Sequence, residues 1–513
     1  MNTAWSDPVL SCAEAKALEA RLFGGDEDRE WAAMQRAGAA VAGAVLDDFR
    51  EIGGFPAAGR ILVLAGKGHN GGDALIATRI LLERFPGARA QVWFSAGERA
   101  FRPLAWRAWR DLQHAAAGRV ARISFRKNGA EDRGSWDLCL DGIFGYQFHP
   151  PIDETTAEVL RRINADPGIR LRAAVDLPSG LAEMDRIEHP VFRADFTYAT
   201  GVVKLPVLDA AQASTVGRLR YLDLGFFERA TVESKIRVLT SRVLAPLRAL
   251  RPPGSDKRAF GHLFVVGGSR HLPGSVLMAV RAALRSGAGL VTAFVPESFA
   301  AAFAAGAPEA MWVGWPETPG GGLALEGGHL LRERLGRATA MVVGPGLGQE
   351  AETLALVTDM VANSPVPLVL DADALRPDVV RAGTTPRVLT PHVGEFMRLL
   401  AGGDFGEFQQ STGAVTVLKG RLTSITQRDR GCYDSPFGGP VLARGGSGDL
   451  LAGLIGGLLA QVPDDPLQAA CRGVVWHGLA ADLLARDRGQ GAIEVTQLLD
   501  YLPAALRVAA DER

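Results

Sequence analysis

Two glycine-rich segments carry residue types that can do chemistry. Between Gly66 and Leu81 the chain reads GKGHNGGDALIATRIL, a glycine loop followed by a helical pattern. Glycine lets a backbone approach a ligand closely and the free N–H groups of a helix start favour a phosphate, so a dinucleotide could rest there. A bare glycine loop is equally well a tight strand-to-helix turn. Asn70 and Asp73 shift that balance, because they add a carbonyl oxygen and a carboxylate that a turn does not need. Between Ala443 and Gln461, ARGGSGDLLAGLIGGLLAQ takes a second glycine-rich turn through Asp449 into a helix of small residues. A purely structural helix cap is the alternative there.

Several single residues invite two readings. Asp141 and Asp176 end candidate strands; capping a helix or turn is the commoner role of such a residue, but the carboxyl ends of strands in open α/β sheets are where ligands collect. His392 in TPHVGE directly follows a candidate strand, which favours ligand contact over a bland surface position. Lys419, in a Lys-Gly pair before a loop, is either a phosphate contact or a solvated strand end. Asp371 and Asp373 in DADAL bind a metal through water or cap a helix, and the sequence leaves both open.

Elements must hold these residues in place. Apolar runs followed by glycine turns and helical patterns recur along the chain, the signature of strands and helices alternating around a parallel sheet. In the first half the strands are expected at 60–66, 90–95, 136–142, 172–178 and 194–200, preceded by one or two alanine-rich helices between Glu14 and Phe49. The second half restarts with GHLFVVGGS from Gly261 and continues through AGLVTAFVP, TAMVVGPGLG, PLVLDADAL, RVLTPH and AVTVLKG. Charged ERATVESK and turn-forming RPPGSDKR separate the halves, which places domains at 1–233 and 253–513 with a linker over 234–252. At 513 residues, two domains of about 250 residues each are the expectation.

Composition narrows the function classes. A formal net charge of −1 offers no broad basic field for nucleic acid or an anionic membrane. The longest apolar run, from Leu450, is too short to span a bilayer, and no signal segment opens the chain, so a cytoplasmic protein is expected. The four cysteines are far apart and show no zinc or redox spacing, which reads as free thiols.

Five segments of the first half occur in order: MQRAG from Met34, the loop His69-Asn70-Gly71-Gly72-Asp73, LDGIFGYQFHPP from Leu140, AVDLPSG from Ala174 and ADFTYATGVVKLP from Ala194. With them the first half resembles NAD(P)H-hydrate epimerases. The resemblance implies a Rossmann-like three-layer αβα domain with potassium on Asn70, Asp141 and Ser179. It further places the hydrated dinucleotide (NADHX or NADPHX) against His69 to Asp73, against Gly145, Tyr146, Gln147, Phe148, His149, Pro150 and Pro151, and on Asp176. Exchange at C6 of the hydrated ring calls for an acid–base group, for which Asp176 and Asp73 are the candidates. Departures from the family pattern are His69 for the usual Asn, Ala74 for the usual Gly, and GYQF.

The second half carries GHLFVVGGSRHLPGSVLMAVRAALRSGAGLVT from Gly261, VVGPGLG, VLDADAL, LTPHVGEFMRLL, VLKGRLT and the glycine turn before Asp449. With these it resembles the ribokinase-like fold, and within it the NAD(P)H-hydrate dehydratases. The resemblance implies an anion hole at Gly445 to Gly448, Asp449 as base, and the hydrated nucleotide on Ser275, Gly346, His392 and Asp449. Lys419, Gly420, Arg421, Leu422, Thr423 and Gly448 would hold ADP or ATP, with Mg2+ accompanying it, and a homo-oligomer is expected. Ser275 and Arg444 depart from the family pattern. The competing reading is a small-metabolite kinase with a nucleotide-binding regulatory first domain.

Overall fold

The computed structural model describes residues 5–125, 135–183, 187–228 and 232–511. They fall into two compact units, one drawn from Asp7–Ser234 with Ala485–Gly489, the other from Lys235–Leu484 with Met1–Ser6 and Gln490–Arg513.

The strands of the first unit are β1 (Ser6–Leu10), β2 (Arg60–Ala65), β3 (Arg89–Phe94), β4 (Val120–Arg122), β5 (Trp136–Gly142), β6 (Ile169–Val175), β7 (Phe196–Thr200), β8 (Val203–Lys204) and β9 (Arg218–Leu222). A sheet runs in the order β4-β3-β2-β5-β6-β7-β9, with every pairing parallel; β1 and β8 form a further parallel pair outside it. Successive side chains of a strand point to opposite faces. Accordingly Ile61, Val63 and Ala65 of β2 pack with Met34, Val41, Leu75 and Trp109 of the helices Glu27–Phe49, His69–Arg84 and Pro103–Ala115. Leu62 and Leu64 pack instead with Val159, Leu160 and Ile163 of the helix Glu154–Ala165. Both faces are covered, giving three layers, and the continuous apolar run of β2 is the trace that this leaves in sequence. The chain runs outward from β2 to β4, then returns to β5 on the other side, so the strand order reverses between β2 and β5.

The second unit contains β10 (Ile236–Leu239), β11 (His262–Val266), β12 (Leu290–Pro296), β13 (Met311–Trp315), β14 (Ala340–Val343), β15 (Leu368–Leu370), β16 (Arg387–Leu389), β17 (Val415–Leu418), β18 (Thr423–Gln427) and β19 (Gly431–Ser435). Their order is β13-β12-β11-β14-β15-β16-β17-β18-β19-β10, parallel except where β18 runs against β17 and β19. Here the order reverses between β11 and β14. The helix Ser447–Gln461 lies close against Pro273–Arg285, because a side chain at Gly453 would strike the Ala279 backbone and one at Gly457 the Ser286 side chain.

The structure departs from the sequence reading in the short elements. The stretch 234–252, read as a linker, carries β10, paired with β19, and a 3-10 helix over Ser241–Arg248 with Val243 and Leu244 buried. Strands β1, β4, β8, β9, β13, β18 and β19 lie outside the expected set; several are short and several are polar, so periodicity is weak in them. The four cysteines are free, with Cys139 and Cys471 buried and Cys12 and Cys432 half-buried. Among the described residues no helix is long and apolar enough to cross a membrane.

Candidate functional sites in the two units

Beyond the carboxyl ends of β2 and β5 the first unit encloses a cavity of about 800 Å3. His69, Asn70, Asp73, Gly145, Tyr146, Gln147, Phe148, His149, Pro151 and Asp176 all line it. Gly71, Gly72 and Pro150 are not among the lining residues. The two glycines are buried for packing: a side chain at Gly71 would collide with the Gly66 carbonyl, and one at Gly72 with Met34.

Ser179 and Asn70 meet on the backbone of Phe144, and Asp141 holds Ser179. The Asp141 carboxylate accepts from the Ser179 amide at 2.7 Å and the Ser179 hydroxyl at 2.6 Å. Ser179 Oγ in turn accepts the Phe144 N–H at 2.9 Å, and Asn70 Nδ2 donates to the Phe144 carbonyl at 2.9 Å. Burial pushes the Asp141 carboxyl up to about 6. An all-oxygen donor set around one buried carboxylate, with the Asn70 amide nitrogen already engaged, suits a hard monovalent cation.

Asp176 sits in the left-handed backbone region at φ 67, a strained conformation for a non-glycine residue and one that clusters at functional sites. Its carboxylate is ion-paired with the buried Lys204. Asp73 is buried with Oδ1 lacking a hydrogen-bond partner, and burial, then the charges of Asp176 and Glu19, hold its carboxyl well above the usual range. Tyr146 donates to Glu19 at 2.5 Å. His69 lies 3.6 Å from Glu30, and burial depresses its imidazole. Sequence reasoning missed Glu19, Lys204, Lys16, Lys67 and Arg102, all of which line the cavity. Lys204 was within reach, since it closes the ATGVVK segment; Glu19 gave no signal, being an acidic residue in an alanine-rich helix with no motif around it.

In the second unit Asp449 stands in the first turn of Ser447–Gln461, where the positive end of the helix dipole favours an anion. Gly446, the residue before that helix, has φ +93, and a side chain there would strike Met278. Burial, then the neighbouring Asp371, pushes the Asp449 carboxyl up to about 6, against a hydrogen bond from Ser275 and the Lys419 charge. Lys419 Nζ lies 3.3 Å from Asp371 Oδ1, and a side chain at Gly448 would meet that same ammonium. The backbones of His392 and Lys419 pair as an isolated parallel bridge. Gly346 has φ +67 and abuts Ser275. Ser275, Gly346, His392, Lys419, Gly448 and Asp449 thus form one linked set.

The His392 ring has a structural task as well. Its Nδ1 accepts the Gly394 and Glu395 amides at 3.0 and 3.3 Å while Glu395 accepts the His392 N–H at 2.8 Å, a capping box for Val393–Leu400. Thr423 opens β18, and Gly420, Arg421 and Leu422 form the turn between β17 and β18. Asp371 also accepts from Thr390 at 2.6 Å and Asp373 from the Gly348 amide at 2.9 Å. Among the described residues no group of three or more His, Cys, Asp or Glu is arranged to hold a metal.

Two parallel-sheet units, each with an acidic residue of perturbed ionisation beside a glycine-rich helix start, define a two-centre α/β enzyme. Residues 31–205 match the family described as YjeF-related protein N-terminus, and residues 263–504 match the NAD(P)H-hydrate dehydratase family. A bifunctional NAD(P)H-hydrate repair enzyme of Moorella thermoacetica is 36% identical over 93% of this chain and 93% of its own; that of Gloeobacter violaceus is 35% identical over 96% and 97%. The chain belongs to the family of bifunctional NAD(P)H-hydrate repair enzymes. Among solved structures, the ADP/ATP-dependent NAD(P)H-hydrate dehydratase of Bacillus subtilis, co-crystallised with ATP and Mg2+, is 28% identical over 53% of this chain and 97% of its own, with a TM-score of 0.45.

Proposed function

We propose that the protein repairs hydrated nicotinamide dinucleotides, exchanging the R and S epimers of NAD(P)HX in the first unit and dehydrating the S form in the second at the expense of ADP or ATP. The observation that carries this reading is the assembly of both centres on a chain of this family: a dinucleotide-sized cavity holding Asp73 and Asp176, and Asp449 held by Ser275 at a glycine-rich helix start.

In the first centre Asp176 and Asp73 carry the protons of the C6 exchange. Asn70, Asp141 and Ser179 would hold potassium, which when bound supplies a fixed positive charge beside the substrate. Their hydrogen bonds already tie the loops after β2, β5 and β6 to one another. His69 and the segment Gly145–Pro151 would border the dinucleotide.

In the second centre hydroxide is too poor a leaving group to depart unaided. Asp449 removes the proton of the C6 hydroxyl as the C6 oxygen attacks the terminal phosphorus of the nucleotide, and the bond from that phosphorus to its bridging oxygen breaks, releasing AMP from ADP or ADP from ATP. Backbone N–H groups at Gly445 to Gly448 meet the charge on that group. The ring nitrogen then pushes out phosphate as the C6–O bond breaks, and loss of a C5 proton restores the dihydronicotinamide. Lys419 and the turn 420–423 would hold the nucleotide, and Ser275, Gly346 and His392 the hydrated ring. Magnesium would come on the nucleotide's phosphates, the usual manner of its binding. The test is to incubate the protein with both epimers, with and without each nucleotide, and follow the dihydronicotinamide absorbance. A stable phosphorylated product with no return of absorbance would make the protein a kinase instead.

A further inference from the structure

Five carboxyl groups line the first cavity, those of Glu19, Glu30, Asp73, Asp153 and Asp176, and three of them, Glu19, Asp73 and Asp176, interact with one deeply buried ammonium. Glu19 comes from the helix Cys12–Phe23, Asp73 from the helix His69–Arg84, Asp176 from the turn after β6 and Lys204 from β8, and all four line the cavity. The Lys204 side chain is 1% exposed and donates to the Asp176 carboxylate and to the Thr200 carbonyl. Glu19 accepts the Tyr146 hydroxyl. Asp73 is 8% exposed, and its Oδ1 has no hydrogen-bond partner. Carboxylates crowded in a poorly solvated site cannot all stay ionised, and a proton remains on the group with least support. Asp73 is that group. Two other titratable groups face the ammonium, the Cys12 thiol, which burial raises to about 12, and Tyr146, whose ring centroid is 5.2 Å from Nζ. Both are neutral near pH 7, so the ammonium's partners are the carboxyl groups.

We propose that Lys204 is the positioning residue that divides the acid–base roles of the C6 exchange, its ammonium making Asp176 the base and leaving Asp73 as the acid. The proposal rests on the epimerase reading above. Asp73 gives its proton to the C6 oxygen, the C6–O bond breaks with its electron pair, water leaves, and the ring nitrogen's lone pair forms a double bond to C6. Water then adds to C6 from the other face, the nitrogen recovers its pair, and Asp176 takes the proton. One water leaves and one enters; the proton shifted from Asp73 to Asp176 returns in the reverse passage or by exchange with solvent.

The test uses the full chain and the exchange rate between pH 5 and 9, with the thermal unfolding curve of each variant reporting that both units are folded. Lys204→Gln is expected to slow exchange about 10²-fold or more with KM nearly unchanged. Without the ammonium the base is harder to ionise, so the acid limb of the profile moves to higher pH, and Lys204→Arg restores it. Asp73→Asn is expected to lose the alkaline limb and keep the acid limb in place, which decides the matter even if Lys204→Gln does not fold. Wild-type exchange by Lys204→Gln, a slowed rate with an unmoved acid limb, or an intact alkaline limb in Asp73→Asn overturns the proposal. Absence of exchange in the unaltered protein would instead overturn the epimerase reading itself.

Discussion

Asp449 combines two requirements of a base at neutral pH. Burial and Asp371 raise its carboxyl to about 6, which leaves about nine in ten molecules ionised at pH 7. Protonation removes the base, so dehydration is expected to fall as pH drops through 6 and to level off above 7, read as the initial rate on the pure S epimer. Asp449→Asn keeps the shape and should lose about 10²–10⁴ in rate while nucleotide binding, measured calorimetrically, persists. Turnover at the normal rate would remove Asp449 from the mechanism. His392 separates in the same way into two contributions. His392→Ala deletes the cap of Val393–Leu400 and should cost about 1 kcal/mol in denaturant unfolding. His392→Asn, itself a good capping residue, should recover that stability but not the KM for the hydrated nucleotide. Recovery of both would leave the residue a cap alone.

The helices Pro273–Arg285 and Ser447–Gln461 bring Ser275 to Asp449 only because the residues between them are small. Gly453→Ala would drive a methyl group into the Ala279 backbone and should destabilise the second unit by about 1–3 kcal/mol. The larger expected effect is on chemistry: separating the helices draws Ser275 away from Asp449, so dehydration falls by more than the folded fraction while epimer exchange is unchanged. A rate that simply tracks the folded fraction would show that this contact is not needed. The loop glycines make the complementary point, since Gly71 and Gly72 serve the close seating of the helix His69–Arg84, whereas Asn70 and Asp73 on the same turn reach the cavity.

With both centres on one chain, the observable of the whole molecule is a progress curve. A dehydratase restricted to the S form stops when that form is exhausted, unless exchange replenishes it. Asp176→Ala should therefore leave the initial rate on an epimer mixture nearly unchanged and convert full recovery into an early plateau, because only the exchange step is lost. Replacing potassium by a larger organic cation should produce the same plateau if Asn70, Asp141 and Ser179 hold that ion. Complete conversion by Asp176→Ala at the normal pace would make this aspartate structural.

What the sequence determined by itself was local. Strands buried on both faces read as unbroken apolar runs, and a ligand loop with its helix start is contiguous, so the α/β alternation, GKGHNGGD and GGSGD are legible in the amino-acid order alone. The polar β18 and β19 and the two-residue β8 are not, because such short stretches have no periodicity to read. Tertiary structure alone decided which acidic residues share a cavity. Glu19, Asp73, Asp176 and Lys204 lie on four elements, and the parallel crossovers that bring them together act over distances in the chain at which no local pattern survives. The same holds for ionisation: only packing decides that Asp73 lacks a partner while Asp176 has Lys204, and so which of two similar aspartates keeps its proton.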